Sequence, residues 1–489
     1  MSARRIATML ALASVALDGA LLAQPRTPEL EATECPFARE DWAAQVKVEC
    51  RWLVVPQDRD RVEGPSVRLF VVVLRPDQTP AQPPLVMLHG GPGQSALLPM
   101  VRAAARRGPP RRELVIYDQR GAGLSEPDPC PAYPSRVQEL DANEVLGSTR
   151  SDALQAIARE CVASMRVRGI APAAFSTRAN AADLVDLRRA LRYERWDLYG
   201  GSYGARLALE AMRRDPRGIR AVALENPVPP GPEWAEAPLA TQFVLERVFA
   251  ACGRSAVCNA AFPRLHQTFL AVFDTLSRSP LAVPATEAST PRPALDGEGL
   301  VNGIRRLLRS RDGIARLPLL LDELHRGDRS RAAHEIVRLA DASPGRPVRA
   351  SFWLVRCYDQ YGPSYHARLD SVRGSVWQPL RGMRNNAQEC PLWQTSFAPP
   401  DEYAPVVSDI PALVLTGEFD ARTPVEFGRR IASTLSRSYV FELPSETHGG
   451  QPTGCRAAIL AQFLANPERL PDASCIGQMR PLEFLTRWP

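Results

Sequence analysis

The sequence contains almost no lysine. Lys47 is the single one among 60 lysines and arginines, set against 54 aspartates and glutamates, so the net charge of +6 is carried by scattered arginine. No dense basic run with interleaved aromatics occurs, which argues against nucleic acid as a partner. The positive balance instead affects solubility and weak, non-specific attraction. Histidine is scarce too, at six residues. Neither Cys-x-x-Cys nor His-Glu-x-x-His occurs, so no metal or other cofactor is expected. Beyond the N-terminus no segment is apolar enough to span a membrane, so no membrane partner is expected past an export signal. There are no internal repeats and no low-complexity linker.

What is present is an ordinary folded composition, 45% hydrophobic over 489 residues, long enough for a large core and a second lobe. Arg4 and Arg5 precede the apolar stretch "IATMLALASVALDGALLA", which ends with small residues at Ala20 and Ala23. That is the form of an export signal cleaved near Ala23, with an uncleaved anchor as the alternative. The expected location is periplasmic or secreted. Ten cysteines agree with export: Cys35, Cys50, Cys130, Cys161, Cys252, Cys258, Cys357, Cys390, Cys455 and Cys475. An even number in an exported chain suggests disulfides. Spacing does not fix their connectivity; pairing neighbours in order is the simplest arrangement, because each closed loop is short.

Apolar runs at 67–76, 84–88, 112–117, 196–199 and 219–227 read as strands, with a helical pattern at 180–191 and another from 205 to 214. Residues 126–150, rich in Pro, Asp and Ser, read as a loop. Strands alternating with helices imply a mostly parallel sheet covered on both faces. From 228 to about 400 the pattern is Pro-punctuated and helical, and strands resume at 410–424 and 438–450. A helical insertion there is expected to cap the carboxyl ends of the strands, where ligand sites of such sheets lie.

"GGSYG" at 200–204 sits between a strand and a helix. A serine between glycines on so tight a turn stands clear of the sheet and can serve as a nucleophile. Such a serine needs a base, and the base an orienting acid. In the order expected for this arrangement, Asp420 follows a strand in "TGEFDARTP" and His448 follows the last strand in "SETHGG". Glu418 is the rival to Asp420. His266, His325 and His334 lie on helical patterns and read as structural. His366 carries no motif. Oxyanion donors are expected from the backbone of Tyr203 and of Gly91 in "HGGPG", since Pro92 has no N–H; His89 is expected to shape that loop.

At these residues the sequence resembles the α/β-hydrolase superfamily, in particular exported members similar to prolyl and tripeptidyl aminopeptidases. The resemblance rests on "HGGPGQS" (89–95), "DQRGAGLS" (118–125), "GGSYG", "GEFDARTP" and the His448 loop, with cap-like "CYD" (357–359) and "CPLW" (390–393). It implies an α/β-hydrolase fold: a doubly wound core over 24–227 and 406–489, with a helical cap over 228–405. It also implies Ser202, Asp420 and His448 as a catalytic triad, with no cofactor. The substrate would be short peptides with a free N-terminus, cut one or a few residues from that end. Carboxylates must then meet an ammonium, and Asp359, Glu225, Glu233 and Glu236 are the candidates. "LENPVPPG" departs from the family's usual turn and leaves the substrate side open. The alternatives are an esterase or amidase acting on small esters or amides, and a non-catalytic binding protein on the same scaffold.

Overall fold

The computed structural model describes residues 28–488 apart from 38–39, 41–42, 44–45, 62, 143–146, 232–236, 283–293, 328–330, 337–347, 361–389 and 450–453. The expected signal segment, Glu233, Glu236 and His366 lie outside the described residues.

Nine strands form one sheet: β1 (Glu29–Thr33), β2 (Lys47–Pro56), β3 (Ser66–Arg75), β4 (Leu85–Leu88), β5 (Leu114–Tyr117), β6 (Trp196–Gly201), β7 (Ile219–Glu225), β8 (Ala412–Gly417) and β9 (Ser438–Leu443). Their spatial order is β1-β2-β3-β5-β4-β6-β7-β8-β9. β1, β2, β3 and β5 pair antiparallel in succession, and every pair from β5 to β9 is parallel. The mostly parallel expectation therefore holds for the part that carries the motifs. β6, β7 and β8 are buried almost throughout, as apolar runs covered by helices on both faces must be. β1 and β2 precede the first expected strand. The opening of β2, "KVECRW", alternates polar and apolar residues, the mark of a strand with one face wetter than the other.

Residues 126–150 are not the expected loop. Helix Tyr133–Ala142 begins there, and helix Gly147–Val167 follows. Their apolar residues supply the reason: Tyr133, Ile157 and Met165 pack with Trp353, Leu354, Trp393 and Tyr203 in a cluster separate from the sheet. Between β7 and β8 the described chain is helical, at Ala237–Arg254, Leu265–Arg278, Gly297–Leu307, Arg311–Arg326 and Ala350–Gln360. The first four share a core that includes Val248, Phe269, Ile304 and Leu320, joined by Phe419 and Ala421 from the loop after β8. These helices thus pack directly against that loop.

The ten cysteines form five disulfides, Cys35–Cys50, Cys130–Cys161, Cys252–Cys258, Cys357–Cys390 and Cys455–Cys475, the neighbour-to-neighbour arrangement. Bonds of this kind persist in oxidising compartments rather than in the cytosol. Cys357–Cys390 ties the helix bearing Asp359 to the turn Cys390–Trp393.

Candidate active site

Ser202 stands between the end of β6 and the helix Tyr203–Arg214, at φ 55° and ψ −121°. This is a left-handed backbone that few non-glycine residues adopt, and such strain concentrates at functional sites. The glycines make it possible. A Cβ on Gly204 would lie 2.2 Å from the Leu88 carbonyl oxygen, and one on Gly200 would lie 2.4 Å from that of Gly204. The Ser202 amide still donates to the Glu225 carbonyl at 2.9 Å, so the β6–β7 ladder runs up to the turn and fixes it.

His448 follows β9 and brings two elements together. Its Nε2 is 3.2 Å from Ser202 Oγ, and its Nδ1 is 2.7 Å from Asp420 Oδ2. Asp420 is fully buried. Its Oδ1 accepts from the backbone N–H groups of Arg422 and Thr423 at 2.8 and 2.9 Å, and the Thr423 hydroxyl donates to Oδ2 at 2.8 Å. The structure therefore joins Ser202, His448 and Asp420 in one hydrogen-bonded chain, with Asp420 rather than Glu418 on the imidazole. Glu418 accepts from the Ser445 amide at 2.9 Å and so braces the loop that leads to His448. Thr423 was not singled out from the sequence. Its signal was available, because an Asp whose side chain accepts from the amides two and three residues on is a recurrent turn motif. Asn226 was missed as well; its side chain accepts from the Gly417 amide at 2.9 Å and clamps β7 to β8 just before the acid loop.

The "HGGPG" loop passes the serine closely: a Cβ on Gly90 would lie 3.2 Å from Ser202 Cβ. Tyr203 opens its helix, so its N–H belongs to the first turn that no intrahelical carbonyl serves. His89 is buried, with Nδ1 3.1 Å from the Gly90 carbonyl and Nε2 facing Asp118, which is a loop-shaping position. Burial pushes the Asp118 carboxyl up from its ordinary value, against the pull of His89 and of the Leu124 amide. Gly123 presses on Asp118 so closely that a Cβ there would lie 1.9 Å from Oδ2. Arg120 of the same motif grips both oxygens of Asp183 and donates to the Gln57 and Ala174 carbonyls. "DQRGAGLS" is therefore a structural knot beside the site.

Of the candidate ammonium partners, Glu225 and Asp359 lie among the described residues, and their carboxylates bond to groups other than Ser202, His448 and Asp420. The Glu225 carboxylate accepts from Tyr199 and pairs with Arg456. Asp359 is buried under Thr177, whose amide and hydroxyl both donate to it; the Thr177 hydroxyl also lies 2.8 Å from the Tyr203 hydroxyl. Burial pushes the Asp359 carboxyl up to about 6, against the pull of Arg206 and of the Thr177 hydrogen bonds.

A parallel sheet with a serine elbow after β6, an acid after β8 and a histidine after β9 is the arrangement of the α/β-hydrolase fold, and this chain has that fold. The model described as "alpha/beta hydrolase fold" matches residues 83–251, and the one described as "TAP-like protein" matches residues 379–475. Among curated proteins, serine protease Hip1 of Mycobacterium tuberculosis is 25% identical over 488 residues, covering 89% of this chain and 90% of that protein. Tripeptidyl aminopeptidase of Streptomyces coelicolor is 28% identical over 210 residues, 41% of this chain and 39% of its own. Proline iminopeptidase of Xylella fastidiosa is 30% identical over 143 residues, 29% of this chain and 32% of its own.

Proposed function

We propose that this chain is an exported serine exopeptidase that removes one or a few residues from the free N-terminus of short peptides. The observation that carries the reading is the Ser202–His448–Asp420 hydrogen-bonded chain. The peptidase names of the relatives lend support. In this reading His448 Nε2 takes the Ser202 proton as Oγ attacks the scissile carbonyl. The same nitrogen then gives that proton to the leaving amine, and water releases the acyl group by the reverse sequence. Asp420 holds the imidazole orientation and balances the imidazolium. Backbone amides of Gly91 and Tyr203 would meet the oxyanion, each worth about 3 kcal/mol in the transition state. The ammonium of the substrate calls for a carboxylate. Asp359 leads over Glu225, whose charge Arg456 already balances; Glu233 is the third candidate. Five disulfides favour a periplasmic or secreted setting.

The test pairs aminoacyl- and tripeptidyl-nitroanilides bearing free N-termini with their N-acetylated forms and a p-nitrophenyl ester. The expected outcome is cleavage of the free-amine set, with kcat reduced on the order of 10^6-fold in Ser202→Ala. Equal turnover of the blocked compounds, or of the ester alone, would replace the exopeptidase by an esterase or amidase of the same fold. Function retained in full by Ser202→Ala would leave only a binding protein.

A further inference from the structure

The nucleophile and the base reach each other from different strands. Ser202 follows β6, and its amide is held by the Glu225 carbonyl at the end of β7. His448 follows β9, which lies two strands beyond β7 in the sheet. The 3.2 Å between Nε2 and Oγ therefore depends on how the end of β7 sits relative to the turn after β9. Adjacent strands are rotated relative to one another, so a small change of twist across β8 is felt at that distance.

Arg456 ties the two places directly. It lies at the start of helix Gly454–Ala465, next to Cys455, which is bonded to Cys475. Farther along, Ile459 and Phe463 pack with Ala221 and Ala223 of β7 and with Leu413 and Leu415 of β8. The Arg456 side chain is buried, and its guanidinium divides between two carboxylates. Nη1 donates to one oxygen of Glu225, whose other oxygen accepts from the Tyr199 hydroxyl on β6. Nη2 pairs with Glu446, two residues before His448. Glu446 is fixed at its backbone as well. Its carbonyl accepts from the Phe419 amide at 2.9 Å, and a Cβ on Gly417 would lie 2.8 Å from that oxygen. One planar fork thus holds both the residue whose carbonyl fixes the nucleophile and the turn that presents the base. A guanidinium can set two carboxylates at defined positions at once, where an ammonium acts as a point charge.

We propose that Arg456, acting through Glu446, is a positioning residue that sets the approach of His448 Nε2 to Ser202 Oγ. The inference rests on the Ser202–His448 pair of the proposed function and not on a peptide substrate.

The experiment therefore needs no substrate: it follows the rate at which an uncharged alkyl fluorophosphonate labels the full chain. Ser202→Ala and His448→Ala should both abolish rapid labelling; rapid labelling in either would remove the triad reading and this proposal with it. Glu446→Gln keeps the side-chain shape at a partly exposed position and leaves Arg456 paired with Glu225. It should slow labelling by roughly tenfold to a hundredfold with the unfolding midpoint unchanged. Arg456→Met strands the buried Glu225 charge and can cost the fold, so the test at that position is Arg456→Lys, which should slow labelling less than Glu446→Gln. The decisive comparison is made in Asp420→Asn, where the imidazole is already misoriented. If Arg456 and Glu446 act through His448, Glu446→Gln adds little there, because residues that work as a unit are not additive. A merely structural role would slow both backgrounds by the same factor. An equal factor in the two backgrounds, or labelling unchanged in Glu446→Gln, overturns the proposal.

Discussion

Two buried aspartates flank the serine elbow, and they are built differently. Asp420 is enclosed by four donors drawn from two loops: the Arg422 and Thr423 amides, the Thr423 hydroxyl and His448 Nδ1. Among the described residues, Asp359 takes its hydrogen bonds from one, Thr177. Both carboxylates are withdrawn from water. A buried charge is tolerated in proportion to the donors that replace its hydration. Asp420 thus sits in a prepared cradle and can serve as a fixed negative end to the hydrogen-bonded chain. Asp359 carries a stored desolvation cost that an incoming ammonium, or a proton, would relieve. Under the proposed function, one carboxylate would orient a base and the other would respond to what arrives.

The largest effect should come from removing the charge on the first of these. Asp420→Asn keeps the shape of the cradle but presents the wrong hydrogen-bonding group to His448 Nδ1, and kcat should fall about 10^4-fold on every substrate, blocked or free. Steady-state kinetics on a nitroanilide and on an ester check this. A loss confined to one substrate class would mean that Asp420 does not orient the base. Asp359→Asn should behave in the opposite way, raising KM for free-amine substrates by roughly tenfold or more while N-acetylated compounds and esters respond little. An equal effect on blocked and free substrates would place Asp359 outside ammonium recognition. A smaller change tests the cradle itself. Thr423→Val removes one of the four donors to Asp420 and should lower kcat about tenfold, since a buried acceptor deprived of its partner costs about 1–3 kcal/mol. An unchanged kcat would assign the work of the cradle to the backbone amides alone.

The same contrast marks what could be read from the sequence. The Asp420 side was legible because each part announces itself locally: glycines at 200 and 204 where a Cβ would strike the Gly204 and Leu88 carbonyls, an acid after one strand and a histidine after the next. That disulfides form was legible from an even cysteine count in a chain with an export-like start; their connectivity was not fixed by spacing, and the five observed pairs match the simplest arrangement. The surroundings of Asp359 were not legible. Thr177, Tyr203 and the helix Ala350–Gln360 meet from distant parts of the chain, and no spacing rule links them. Helix Tyr133–Ala142 was hidden for a related reason. Its mean polarity reads as loop, and the few apolar residues that hold it, Tyr133 foremost, acquire meaning only against Trp393, whose ring lies 5.5 Å away.

The smallest effect is one of stability, and it sharpens the comparison without a substrate. The Asp359 carboxyl rises from the ordinary aspartate value of 3.8 to about 6 on folding, chiefly through burial. Between those values the folded chain holds a proton there that the unfolded chain has released, so the contribution of Asp359 to stability declines as pH rises from 4 to 6 and levels off above. Over that window the contribution amounts to at most about 3 kcal/mol, since a tenfold change in proton affinity corresponds to about 1.4 kcal/mol. Asp359→Asn removes the titration and keeps the volume. Its unfolding midpoint, followed by denaturant titration at pH 4.5 and 7.5, should change less between the two than that of the parent chain, and the variant should be the more stable at pH 7.5. If both proteins respond to pH alike, the Asp359 charge is not held under strain, and an incoming ammonium would find nothing there to relieve.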